Sequence, residues 1–486
     1  MKTLVGRSIV AAGIVAAALG TVVPAHAGRV QFRIDEPASD FLDRGATGRL
    51  VPGRGPTFSR EEALRSLGEV MDIRCPCPYT IYLTLPPSGQ ERHYHGLYRI
   101  GISGPGYPPG SMLVSDRTRI PGLISINDIE PTVDALDDGE RPPVTARQVD
   151  DVGARLIDLE QRLDEVHDTR APASLVLAGL IALFTALAIM RRSPFFGRAA
   201  MLSAPIGLAA ALGLSALEVT APWAAVLGIV VACSVAAPLL AWATRGRPAL
   251  AIALLAIFPV YLIVLSVSTE TSSLAAIGAR PENGGRFYGF QNQMETMLLV
   301  PALLGAALAP LAFFAPVALL ILVTVGASFA GADGGGLLVF ASGFLFLWMR
   351  LRGVPLTARN LALAGAGVVV TGLVLVGLDA ALGGSSHVTR SLSGGPFEVV
   401  GDLAHRVRLT LGGLVSSPHA AVIAAVSLPA LVWLSLRKPR FIVLDAVLVA
   451  LLVSLIVNDS PRDILGWGAL TAAALRFWRE SIEPVY

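Results

Sequence analysis

Between Gly278 and Gln293 the chain reads Gly-Ala-Arg-Pro-Glu-Asn-Gly-Gly-Arg-Phe-Tyr-Gly-Phe-Gln-Asn-Gln, a polar island between two long apolar stretches. Its chemistry is that of anion recognition. Arg280 and Arg286 each offer a planar guanidinium fork that matches phosphate or carboxylate, and Tyr288 and Asn292 add neutral polar groups. Glu295, three residues beyond Asn292, falls on the same side of a helix. Further polar residues punctuate the apolar sequence downstream: Asp333 within Gly331-Ala-Asp-Gly-Gly-Gly336, Asp379, His387 and Arg390 in Ser386-His-Val-Thr-Arg390, then Asn458 and Asp459. Arg280, Arg286, Tyr288, Asn292, Asp379, His387, Arg390 and Asn458 form the candidate substrate-binding set. Asp333, Asp459 and Glu295 are the candidate catalytic bases.

Each of these has a structural reading beside the chemical one. The two arginines can snorkel toward headgroups, Glu295 can pair with Arg286, and Asp379 with Arg390. Asn458 and Asp459 can cap a turn, and Asp445 reads as a local ion pair with Arg440. Cys75-Pro-Cys77 and His93-Tyr-His95 have the i, i+2 spacing that places ligands on one strand face, a set suited to zinc or copper. Thiols in an oxidising compartment favour a disulfide or free thiols instead, so no metal site is assigned. Cys233 reads as a small apolar residue. Neither a Walker loop nor a GxGxxG, HExxH or GxSxG motif stands where it could work. No cofactor is expected, and the chain offers no motif for ATP-driven chemistry.

The elements that position these residues follow from composition. Of 486 residues, 53% are hydrophobic and 15% charged, with a mean hydropathy of +0.63; soluble domains carry about 25% charged residues. A net charge of +2 gives no basis for nucleic-acid binding. Residues 1–27 have a basic start at Lys2 and Arg7, an apolar run and Ala25-His-Ala27, the layout of a signal peptide. Residues 28–143 alternate in short runs such as Tyr79–Leu85 and Gly96–Ser103, which predicts a small extracytoplasmic α/β domain. Residues 144–170 form the next unit. In it Val149, Val152, Leu156, Leu159, Leu163 and Val166 are spaced 3, 4, 3, 4, 3, the apolar stripe of a stalk helix that packs on the outer domain; a coiled-coil dimer is the alternative.

Residues 171–486 predict a polytopic, mostly α-helical membrane bundle. Apolar segments at about 173–190, 199–217, 221–243, 248–267, 294–311, 313–330, 335–349, 360–382, 419–436, 441–457 and 463–478 amount to about eleven spans. The basic loops around Arg191, Arg245, Arg350, Arg437 and Arg476 alternate with loops poorer in positive charge, which orients the N-terminal domain outside and the C-terminus in the cytoplasm. The polar island, Asp333, Asp379 and Asn458 then share the outer side. A helix over Phe397–Leu414, carrying Val400, Leu403, Val407 and Leu411 on one face, is expected to lie along that interface.

The order of these motifs resembles that of a family of multi-spanning membrane proteins from actinobacteria and firmicutes. The residues that carry the resemblance are Gly284-Gly-Arg-Phe-Tyr-Gly-Phe-Gln-Asn292, Gly331-Ala-Asp-Gly-Gly335, Ser386-His-Val-Thr-Arg390 and Asn458-Asp-Ser460. Members often carry an outer domain similar to the alkaline phosphatase/sulfatase superfamily. Phe41–Gly48, Gly104-Pro-Gly106 and Ser115–Thr132 look like parts of such a domain, shortened and without its metal set, which implies a non-catalytic relative. Gln291 and Pro461 stand where the family has glycine.

The resulting expectation is an integral protein of the cell envelope whose outer-facing polar cavity takes an anionic, phosphate-bearing lipid or lipid-linked glycan, as a transporter or flippase. A transferase acting on a lipid-phosphate donor is the alternative, and a non-catalytic envelope scaffold, recruiting protein partners through the outer domain, is the third reading.

Overall fold

The computed structural model describes residues 29–35, 41–53, 57–67, 77–87, 92–93, 97–381, 408, 410–415 and 417–482. The signal peptide expected at 1–27 and most of the helix expected over Phe397–Leu414 lie outside them, as do Cys75, His95, His387 and Arg390. Cys77 is disulfide-bonded, and Cys233 is a free buried thiol.

Short alternating segments build a mixed sheet. Strands β1 (Val30–Ile34), β2 (Ala46–Val51), β4 (Tyr79–Leu83), β6 (Tyr98–Ser103), β7 (Ser111–Ser115) and β9 (Val144–Gln148) lie in the order β1-β4-β6-β2-β7-β9, with β8 (Leu123–Ser125) also paired to β2. A separate two-stranded ribbon joins β3 (Thr57–Phe58) to β5 (Arg92–His93). The alternation works because one set of side chains, including Leu50, Ile81, Leu83, Ile100, Ile102 and Leu113, is shielded from water, each worth about 1.5–3 kcal/mol. Helix α3 (Ile129–Asp138) covers that face with Ile129, Val133 and Leu136. It ends at Gly139 in the left-handed conformation, as helices commonly do; the other short helices are α1 (Phe41–Arg44) and α2 (Arg60–Ser66).

The predicted boundary at 144 needs correction. Val144–Gln148 is the last strand of the sheet, registered with Ser111–Ser115, rather than the start of the stalk. The stalk and the first apolar segment are one 40-residue helix, α4 (Val152–Arg191), with no break at 171. Its apolar stripe is spent within the chain: Val152 and Leu156 pack on Met112, and Leu159 and Leu163 on Val51, Ile120 and Leu123.

The remaining helices are α5 (Pro194–Ala216), α6 (Pro222–Ala243), α7 (Arg247–Leu255), α8 (Ile257–Val267), α9 (Thr269–Ser273), α10 (Asn292–Leu308), α11 (Phe314–Gly326), α12 (Gly334–Leu351), α13 (Ala358–Ala381), α14 (Pro418–Leu436), α15 (Ile442–Val457) and α16 (Pro461–Ile482). All eleven apolar segments are thus helical. Seven are long and apolar enough to cross a membrane, counting α7 and α8 as one, and α11 and α15 are shorter apolar helices. Apolar side chains gain little by leaving lipid for one another, so close packing of small residues holds such bundles together. Gly197 of α5 is a case: a Cβ there would lie 2.8 Å from the Trp478 backbone of α16.

Successive helices run up and down, so the sheet, the 278–291 island, the 327–333 loop and the α15–α16 junction gather at one end of the bundle. The arginine-rich loops gather at the other, where Arg198 donates to the Ala241 carbonyl at 2.9 Å.

Candidate functional site

The polar island is a small hairpin. Arg280 and Arg286 are antiparallel bridge partners, and Pro281–Asn283 forms a 3-10 turn closed by Gly284 at φ +63°. Positive φ suits glycine, and here space also demands it: a Cβ on Gly284 would lie 1.8 Å from the Gly53 carbonyl of the sheet domain. Ser273 Oγ donates to the Phe287 carbonyl at 2.7 Å and secures the second strand of the hairpin. Gln291 spans its base, accepting from Arg280 N at 2.7 Å and donating to the Gly278 carbonyl at 3.3 Å. Its extended backbone, φ −107° and ψ 160°, needs no glycine. Pro461 is equally well placed as the first residue of α16, where its missing N–H costs nothing.

Helix α4 grips the hairpin from the side. The buried Arg170 guanidinium donates to the Gly278 and Ala279 carbonyls at 3.1 and 2.5 Å and pairs with Glu282 at 3.3 Å. His167 Nδ1 lies 3.5 Å from the same carboxylate. Burial alone would raise the Glu282 pKa, but Arg170 and His167 outweigh it and hold the carboxyl below its ordinary range. Two turns up, Arg162 pairs with Glu270 at 3.1 Å. From the sheet, Arg119 covers the Tyr288 ring at 4.6 Å and its carbonyl accepts from Thr269 Oγ1 at 2.5 Å. Sequence reasoning missed this clamp. Its signal was there: Arg162 and Arg170 sit among the stalk's apolar positions, where a cation needs a buried acid.

The 327–333 loop lies beneath the hairpin. Phe290 N donates to the Gly331 carbonyl at 2.9 Å, and Asp333 N to that of Val325 at 2.9 Å. Asp333, fully buried at the start of α12, receives Arg286 Nη2 on Oδ1 at 3.1 Å. Arg286 Nη1 and Asp333 Oδ2 are buried without a hydrogen-bond partner among the described residues. Glu295, 0% exposed, stands on α10. The alternative pairing of Glu295 with Arg286 is not made; neutral donors hold the carboxylate instead, Ser454 Oγ at 3.0 Å and Asn458 Nδ2 at 2.9 Å. Asn458 can come this close because Gly335 opposes it, where a Cβ would lie 2.2 Å from Asn458 Oδ1. Asp459 is exposed and accepts from Asn292 Nδ2 at 3.1 Å.

Asp379 reaches the same loop from α13. It accepts from Ser328 N at 3.0 Å and Oγ at 2.8 Å, while the Ser328 carbonyl accepts from the Tyr288 hydroxyl at 3.1 Å. The alternative partner of Asp379, Arg390, is outside the described residues. Arg280 is half-exposed, and its side chain makes no hydrogen bond or ion pair among the described residues. Of the two guanidinium groups read as an anion clamp, that of Arg286 has a buried acid on one nitrogen. Asp445 pairs with Arg440 at 3.3 Å, as expected.

The structure thus brings together Arg280, Arg286, Tyr288, Asn292, Glu295, Asp333, Asp379, Asn458 and Asp459, from segments nearly two hundred positions apart. Residues not foreseen are Ser454, Ser328, Arg119 and the Arg170–Glu282 clamp. The described residues hold no group of three or more His, Cys, Asp or Glu arranged to bind a metal ion. Comparison of the chain with protein-family models, with curated proteins and with solved structures finds no match.

Proposed function

We propose that the chain is a multi-pass envelope protein that binds an anionic, phosphate-bearing lipid or lipid-linked glycan at the Arg280–Arg286 hairpin and moves it, as a transporter or flippase. The hairpin end faces the outside, all eleven apolar segments cross, and the C-terminus is cytoplasmic. The observation that carries the reading is the cross-strand placement of the two arginines. Bridge partners put their side chains on one side of a hairpin, within about 5.5 Å at Cβ, and here one guanidinium is free while the other has a nitrogen to spare. A phosphate meeting both would be held by two forks. The buried acid behind Arg286 then competes for that guanidinium, so that binding is reversible.

A transferase is the second reading. Asp459 supports it as the exposed carboxylate at the same mouth, oriented by Asn292 at 3.1 Å, where a base would meet an acceptor hydroxyl.

The test compares nanodiscs of phosphatidylcholine alone with nanodiscs containing phosphatidylglycerol, reading retained lipid by native mass spectrometry. Wild type retains the anionic lipid, and Arg280→Ala with Arg286→Ala does not. Equal retention by wild type and the double variant would refute the site. Lipid and glycan profiles of a strain lacking the protein, beside one carrying Arg286→Ala, then separate the readings. Lipid redistributed between leaflets supports transport, and a missing modified product supports transfer.

A further inference from the structure

Where the hairpin, α10, α12 and α15 meet, two buried carboxylates share the neighbourhood of one guanidinium whose side chain is a third exposed. Glu295 and Asp333 are both fully buried, and among the described residues the cation available to them is Arg286. Glu295 is held by Ser454 and Asn458, neutral donors that bring no charge. Asp333 turns one oxygen to Arg286 and leaves Oδ2 buried without a hydrogen bond among the described residues. With every group ionised, one negative charge stays buried and unbalanced, a state that proteins avoid by neutralising the group.

Among the described residues the neighbours do not supply the missing charge. Asp459, at the α15–α16 junction, adds a further negative group in solvent. Arg462 of α16 is 3.6 Å from Asp463, and Arg170 of α4 is engaged with Glu282. Arg280 pairs with neither acid, and Arg408 is exposed. Gln293 of α10 turns away to Ser174 at 2.8 Å.

We propose that the Glu295–Asp333–Arg286 cluster binds one exchangeable proton, and that the proton is taken up together with the anionic ligand. This second clause rests on the function proposed above. The chemical step is one protonation: a carboxylate oxygen accepts H⁺ from water, and the resulting acid returns it. Ser454 Oγ, 3.0 Å from Glu295 Oε1, can accept from that acid as readily as it donates to the carboxylate. An anion that draws Arg286 toward Arg280 weakens the hold on Asp333 and leaves two acids sharing less positive charge. Anion and proton then each favour the binding of the other, as thermodynamic linkage requires.

Infrared difference spectroscopy of the full chain in phosphatidylcholine nanodiscs, acid minus alkaline, reads the proton without any ligand. A carboxylic-acid carbonyl band that shifts in heavy water is expected in wild type and absent from Glu295→Gln. Ser454→Ala should move the band and keep it, and Asp459→Asn should leave it in place. Absence of the band from wild type, or its persistence in both Glu295→Gln and Asp333→Asn, would overturn the proton site. Coupling is read from phosphatidylglycerol affinity, whose phosphodiester does not titrate between pH 5 and 8. Affinity should strengthen as pH falls, by up to about tenfold per pH unit for one proton, and lose this dependence in Glu295→Gln. Lipid binding with no band and no pH dependence refutes the proton and keeps the lipid site. A band in a protein that retains no anionic lipid keeps the proton and refutes the function it was to serve.

Discussion

Two arginines that meet buried acids at opposite ends of the bundle, one itself buried and one a third exposed, invite comparison. Arg476, 2% exposed near the end of α16, is satisfied on all sides: Nε donates to Glu480 at 2.7 Å, Nη1 to the Pro439 carbonyl at 2.6 Å and Nη2 to that of Lys438 at 2.9 Å. Arg437 pairs with the same glutamate at 2.7 Å and lies over the Trp433 ring at 4.5 Å. Arg286 has one acid, one idle nitrogen and a free arginine beside it. The idle nitrogen of Arg286 is the feature on which the proposed anion site relies, and the fully engaged Arg476 has no counterpart to it.

Substitution at the two ends should break the molecule in different ways. Arg476→Ala strands Glu480 and two carbonyls, and is expected to cost about 3–5 kcal/mol of stability, seen as a large fall in the midpoint of thermal unfolding in detergent, with anionic-lipid retention unchanged in protein that remains folded. Arg286→Ala should do the reverse, abolishing retention with a smaller fall in that midpoint. A fall as large as that of Arg476→Ala, with lipid retention intact, would make Arg286 structural.

Gly284→Ala tests the contact between the hairpin and the sheet. Strain at a non-glycine residue in this conformation is about 1–3 kcal/mol, and the Cβ cannot share space with the Gly53 carbonyl. Faster protease cleavage between the sheet and the bundle is the expected result. Glu282→Gln probes the α4 clamp through pH. Because the folded carboxyl titrates below its ordinary range, its contribution is complete above the unfolded value of about 4.3 and fades as pH falls through the folded value. Wild type should lose stability on acidification over that interval more steeply than the variant, and identical acid profiles would remove Glu282 from the clamp. Smallest of all, Arg440→Ala breaks an exposed pair and should change stability by less than about 1 kcal/mol.

Much of this fold was legible because its signals are local. Long apolar runs became helices, and the alternation at Tyr79–Leu83 and Tyr98–Ser103 became strands. Val144–Gln148 escaped notice because only one of its five residues is buried, and its pairing lies with a strand some thirty positions earlier. The site was legible by type, since arginine and carboxylate are conspicuous among lipid-facing residues. Its wiring was not. Whether Glu295 meets Arg286 or Ser454 depends on how α15 packs against α10, which no local pattern encodes. Serines 328 and 454 are too common in helices and loops to announce themselves.

The uninterrupted helix α4 carries a mechanical consequence. At 1.5 Å per residue, forty residues make a rod of about 60 Å, rooted in the lipid and running up beside the sheet. Its side chains grip the sheet at Leu159 and the hairpin at Arg170. Pro172 takes one backbone hydrogen bond out of this rod just below the clamp, so a tilt imposed on the sheet domain would bend it there, after the grip at Arg170 has passed the motion to the hairpin. That motion would arrive at the two arginines as torque.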